Sequence, residues 1–320
     1  VTTRPRLSRS SALRSLASAG LFVAALPRAL GAQTLTPIRI ATFPTDSGGQ
    51  VYYAAELGLF KRAGLDAQIT SPSSGAAIAA AIAGGAYDFG TSNTFSLALA
   101  HERGVPFVFA AAGPRYTSKT SIQGLVVARG SAIVNAKDLN GKVIAVDALS
   151  SISRLATQAW CDQNGGDIKS LRFLEIPIAQ MGAALASGRI DAASSVEPFL
   201  SAVVADNGRL LANHFDAVSK DCLLGEWFTT ADYARARSDV IRRFNAVMRD
   251  AAVWANANHD ASAKMLEKYV KMAVAPGAPR TLYGEHLRPA EIQPLIDVAA
   301  RYGALKTAFP AGVMIAAGAD

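Results

Sequence analysis

The chain has 320 residues, 50% of them apolar and 18% charged, which suits two α/β lobes each with its own core and excludes a disordered chain. Its net charge of +7 would suit nucleic acid or a membrane surface, but the first 32 residues carry Arg4, Arg6, Arg9, Arg14 and Arg28 and no acid, leaving the remainder at +2. The basic signal therefore belongs mostly to the amino-terminal segment, and no nucleic-acid partner is expected.

That segment reads as a secretory leader over residues 1–32. An Arg-rich start is followed by the apolar run Leu16 to Leu26 and then by the small residues Gly31 and Ala32. Eleven residues do not span a bilayer as a helix. The mature protein is expected to begin near Gln33, without a lipid anchor because no Cys stands at the processing site. "LSRSSALRS" partly resembles a twin-arginine export motif but lacks the adjacent second Arg, so the route of export stays open. Cys161 and Cys222 are the two cysteines, sixty-one residues apart. In an exported protein they can pair, or both can be buried thiols.

From there the chain alternates short strands with helices. "IRIAT", Ile38 to Thr42, runs into the turn-rich loop "FPTDSGGQ", and the helix Val51 to Leu59 precedes the strand "LDAQI". A polar loop, "TSPSSG", leads to the helix Ala76 to Ala83. Tyr87 to Phe89 read as a buried strand, with Thr91, Ser92 or Asn93 capping a helix through Phe95, Leu97 and Leu99. "VPFVFAA" is the next strand. From Gly141 the programme restarts with "KVIAV", the loop "DALSSISR", "LRFLEI", the helix Ile178 to Ser187, and "GRLLA". Helices are expected from Ser238 to Asn258 and from Ala261 to Met272, packed back on the first lobe. This order calls for mostly parallel sheets flanked by helices.

The second series copies the first. At an offset of 103 residues Ile78 maps to Met181, Ile82 to Leu185, Gly85 to Gly188, Asp88 to Asp191 and Ser92 to Ser195. Lobe 1 is accordingly assigned to residues 33–121 and 227–320 and lobe 2 to residues 122–226. The apolar strands Ile122 to Ala128 and Cys222 to Phe228 are the expected crossovers, with hinge motion about Gln123–Ala128 and Leu223–Phe228.

Polar residues where strands give way to helices are the candidate ligand contacts, because open α/β sheets bind ligands at the carboxyl ends of their strands. They are Phe43, Asp46, Ser47 and Gln50 in the first loop, Thr91, Ser92 and Asn93, and in the facing lobe Ser150, Ser151 and Ser153. Glu197, before Pro198 at a helix start, is expected to meet a ligand donor, and Trp227 to stack on a flat solute or fill the hinge. Asp88 and Asp191 read as local backbone acceptors rather than a catalytic pair. GxSxG, HExxH, P-loop, GxGxxG and CxxC patterns are all missing, and His101, His214, His259 and His286 lack ligand spacing. No enzyme activity, metal or cofactor is therefore expected.

"YYAAELGLFKRAGLDAQI", "AGGAYDFGTSN", "LNGKVIAV" and "SGRIDAASSVEPF", in that order, resemble the periplasmic solute-binding proteins of ABC importers. The similar group has nitrate-, sulfonate-, taurine- and thiamine-pyrimidine-binding members. The resemblance covers about residues 36–300 and implies an α/β, two-lobe (type II) periplasmic binding protein with a two-strand hinge. It further implies a monomer that closes on a small organic solute and delivers it to an inner-membrane permease. Three rivals share the scaffold: an enzyme of pyrimidine or menaquinone synthesis, the effector domain of a transcription regulator, and a solute-binding partner of a sensor.

Overall fold

The computed structural model describes residues 1–2, 35–72, 75–271, 273–274 and 277–319. Apart from its first two residues, the expected leader lies outside the described residues, as does Gln33. Among the described residues no helix is long and apolar enough to cross a membrane.

The strands are β1 (Thr36–Ala41), β2 (Leu65–Thr70), β3 (Phe89–Asn93), β4 (Phe107–Ala112), β5 (Pro114–Thr117), β6 (Gln123–Ala128) and β7 (Val143–Val146). They continue with β8 (Arg172–Glu175), β9 (Ala192–Val196), β10 (Gly208–Ala212), β11 (Asp221–Leu223), β12 (Gly225–Thr230) and β13 (Leu282–Tyr283). Two five-stranded sheets result, in the orders β2-β1-β3-β12-β4 and β8-β7-β9-β6-β10, and a small third sheet is ordered β11-β5-β13. In each large sheet the fourth strand, β12 or β6, runs antiparallel to both neighbours. The other pairs are parallel.

The repeat read from sequence is one of backbone. Helix Gly75–Ala83 and strand β3 reappear 103 residues on as helix Ile178–Ala186 and strand β9. Gly85 and Gly188 both take positive φ, +72° and +69°, where side chains with a Cβ are disfavoured. The Arg39 N–H donates to the Asp88 carboxylate at 2.7 Å and the Asp88 N–H returns to the Arg39 carbonyl at 2.9 Å. Val143 and Asp191 repeat this exchange at 2.8 Å in both directions. The two aspartates thus join β3 and β9 to the strands beside them, each within its own sheet.

Two expectations are corrected. The strand before helix Thr94–Glu102 covers Phe89–Asn93 rather than Tyr87 to Phe89, so Thr91 and Ser92 lie in the strand and Asn93 is the cap, accepting the Ser96 N–H at 2.8 Å. Gln123–Ala128 is a strand within the expected Ile122–Ala128, whereas the expected strand Cys222–Phe228 is split between β11 and β12 in different sheets; Gln123–Ala128 and Gly225–Phe228 are each hydrogen-bonded on two sides inside a sheet and do not flex independently of it. The chain passes between the sheets at residues 118–122 and 213–220, flanked by the antiparallel pair β5 and β11.

The carboxy-terminal helices pack on the first sheet. Phe244 of helix Ser238–Ala257 stacks on Phe89 at 3.9 Å between centroids, and Asn245 donates to the Ala110 carbonyl at 3.1 Å. Helix His259–Val270 follows, and helix Pro289–Arg301, unread in the sequence, comes after β13. Cys161 and Cys222 are separate, buried thiols, each pushed up to about 12 by burial.

Candidate ligand cleft

Six parallel strands, three from each large sheet, end at one cleft of about 510 Å³. Phe43, Thr45 and Ser47 follow β1, Pro72 follows β2, and Thr91 to Asn93 close β3. Opposite them stand Asp147 and Ser150 after β7, Pro177 after β8, and Ser194 and Val196 of β9. Because β6 and β12 are reversed, it is their first residues, Gln123 and Gly225, that reach the same place. Phe43, Leu97, Ile152, Ile178, Phe199 and Leu224 give the cleft an apolar wall.

Polar groups are left unused there. Thr91, Ser92 and Ser153 are buried, yet none has its hydroxyl bonded to another described residue, and the Gln123 amide is likewise free. Ser47 Oγ is buried without a partner among the described residues. These groups open onto the cleft, where a ligand or water completes their pairing.

The sites predicted from sequence divide into two groups. Phe43, Ser47, Thr91, Ser92, Asn93, Ser150 and Ser153 line the cleft. Asp46, Gln50, Ser151, Glu197 and Trp227 do not, and in each case the side chain is buried against protein partners. Asp46, 2% exposed, accepts from Arg280 Nη2 and from the Thr281 N–H, both at 2.7 Å. Gln50 accepts the Trp227 indole N–H at 2.8 Å, which places that ring in the core rather than against a solute. Ser151 Oγ donates to Asp147 at 2.7 Å. Glu197 accepts from Ser201 Oγ at 2.8 Å and from the Ser201 N–H at 3.2 Å, and burial raises its pKa above the ordinary value. The expectation of a ligand donor opposite Glu197 falls with that geometry.

Gln123, Asp147, Ser194 and Arg103 are cleft residues that the sequence reading missed. Ser194 could have been found, since it stands 103 residues after Thr91. Its Oγ lies 2.8 Å from His214 Nε2, and burial pushes the imidazole down to about 3, so His214 is neutral. Ser96 Oγ donates to the Ser150 carbonyl at 2.6 Å and the Asp46 N–H to the Glu197 carbonyl at 3.4 Å. Both bonds join the two halves. Beneath helix Thr94–Glu102, Thr94 Oγ1 donates to Glu226 at 2.9 Å, and burial raises that carboxyl to about 8.

The family model described as NMT1/THI5 like matches residues 47–262. Among solved structures, the periplasmic aliphatic sulphonate binding protein SsuA from Escherichia coli is similar at 19% identity and a TM-score of 0.70, with 88% of this chain and 97% of that one covered. The periplasmic nitrate-binding protein NrtA from Synechocystis PCC 6803 is similar at 13% identity and a TM-score of 0.74, covering 87% and 84%. The desulfurization enzyme DSZB is similar at 15% identity and a TM-score of 0.63, covering 88% and 96%. A search of the curated proteins found no match. At these identities the likeness shows the fold, that of the periplasmic binding proteins.

Proposed function

The chain belongs to the NMT1/THI5-like family, and from that premise we propose that it is the substrate-binding component of an ABC-type importer. It captures a small organic solute between two lobes and hands it to an inner-membrane permease. The observation that carries this is the cleft itself, built from the strand ends of both large sheets and lined by hydroxyl and amide groups that no described residue engages. The apolar wall suits an organic body, whether sulfonate, carboxylate or pyrimidine-like, better than a bare inorganic anion, which needs polar groups on every side.

Lobe 1 comprises residues 35–117 and 221–319, lobe 2 residues 123–212, and closure turns about residues 118–122 and 213–220; the return to lobe 1 falls before β12 rather than at residue 226, because Gly225 and Glu226 pair within the first sheet. The protein works as an exported monomer in the periplasm after loss of its leader, with no cofactor.

One observation favours an enzyme as the second reading: Ser194 and His214 form a nucleophile–base contact at the cleft floor. Against it, no described carboxylate bonds His214, and an imidazole held near 3 is a poor base.

A thermal-shift series of organic sulfonates, aromatic carboxylates and pyrimidines tests the proposal. A binder raises the melting temperature in proportion to RT ln(1 + [L]/Kd). Turnover of a bound compound, lost in Ser194→Ala, would replace the binding reading with the enzymatic one.

A further inference from the structure

Within the reading of this cleft as a solute site, the geometry points to an organic monoanion of extended shape, with its acidic group on Arg103 at the cleft mouth and a neutral hydrogen-bonding end on the floor. Among the described side chains lining the cleft, Arg103 and Asp147 are the ionisable ones. Asp147 is engaged by Ser151 Oγ, while Arg103 is exposed and forms no ion pair with any described residue. The lining thus carries one negative group, Asp147 beside Ser151, and one positive group, Arg103, so an acidic ligand group is favoured at Arg103.

The alternative seats for an acid are the starts of the two helices beside the cleft, whose N-cap residues are Asn93 and Ser151. Each already holds a carboxyl group. Asp147 is bonded to Ser151, the residue before helix Ile152–Gln163, and Glu226 takes the hydroxyl of Thr94. An anionic ligand head there would meet Asp147 directly, and like charges at such range repel.

Arg103 is placed for the task by helix periodicity. Ser96, Ala100 and Arg103 follow at intervals of four and three, so one face of helix Thr94–Glu102 runs along the cleft. From Ser96 to Arg103 is about 10 Å at the helical rise, the length of a phenylpropanoid or a medium alkyl chain. Leu97, Leu99 and Ala100 line that path, with Ile152 and Phe199 opposite. At its inner end stand the unoccupied groups of Thr91, Gln123 and Ser153, all neutral and suited to a hydroxyl or carbonyl.

Calorimetry on the full chain with 3-(4-hydroxyphenyl)propanoate and its neutral amide tests this. The acid should bind about tenfold tighter than the amide, the ratio a charge-assisted contact provides. In Arg103→Gln that ratio should fall to about threefold or less, and Arg103→Lys should retain most of it. An acid that binds no tighter than the amide overturns the monoanion class, and a ratio unchanged in Arg103→Gln overturns the role of Arg103; both leave the solute-binding reading standing. If neither probe binds at millimolar concentration the inference fails. The solute-binding reading fails with it only if taurine, nitrate and uracil also leave the melting temperature unmoved.

Discussion

Trp227 donates its indole N–H to the Gln50 side-chain oxygen at 2.8 Å, and the Gln50 amide in turn donates to the Met248 carbonyl at 2.8 Å. Three distant segments are thereby tied together under the first binding loop. Gln50→Leu leaves the buried indole N–H of Trp227 unpaired, while the Met248 carbonyl keeps its bond within helix Ser238–Ala257, and should cost about 1–3 kcal/mol. Urea unfolding checks this. A solute affinity that falls while the unfolding midpoint stays in place would return Gln50 to the cleft.

Asp46 and Arg280 form the most buried ion pair described, at 2% and 7% side-chain exposure. Replacing Asp46 by Asn strands a guanidinium in the interior, and the expected loss is about 3–5 kcal/mol. Chemical denaturation measures it, and a loss below 1 kcal/mol, roughly that of a surface pair, would mean Arg280 finds water instead.

Asp88→Asn and Asp191→Asn should act alike because the two carboxylates make the same backbone contact in the two sheets. Each should destabilise by about 1–2 kcal/mol, with the charged partners Arg39 and Lys142 contributing little because both expose over two fifths of their side chains to solvent. A large effect on solute binding from either would reopen the reading of a functional carboxylate pair.

Glu226 gives stability a pH dependence of known sign. Its carboxyl titrates at about 8 in the fold against an ordinary 4.5. Between those values the folded chain holds a proton that the unfolded chain has released, so this contribution to stability is complete below about pH 4 and is lost as pH rises towards 8. His214, lowered to about 3 from 6.5, acts in the opposite direction and removes stability as pH falls through that range. Unfolding midpoints followed from about pH 5 to 8 should decline less steeply in Glu226→Gln than in the wild type. Equal slopes in the two proteins would show that Glu226 is not the group responsible.

Ser153→Ala should weaken a bound organic solute by about two- to tenfold, the range for one neutral hydrogen bond, with little change in stability because the hydroxyl has no partner among the described residues. Titration calorimetry with the tightest binder from the thermal screen decides it.

Much of the architecture was legible in the chain itself. The offset of 103 residues between Gly85 and Gly188 located two copies of one unit, and the small polar residues after each strand located the cleft. What the sequence did not carry was the direction each polar side chain takes. Asp46 turns away from the cleft because Arg280 waits 234 residues further on, and Gln50 because Trp227 and Met248 lie beneath it. Such partners are fixed by tertiary packing, not by local pattern. Arg103 escaped notice for a related reason: a lone Arg after a helix looks like any surface residue until the helix is seen to run along the cleft.

The reversed fourth strand has a consequence for the order in which the molecule can be completed. β3 and β4 are joined only through β12, which is synthesised after all five strands of the second sheet. On a chain growing from its amino terminus, the second sheet has every strand it needs once Ala212 has emerged, whereas the first still lacks the strand between β3 and β4. The half that is made first is therefore the half that finishes last.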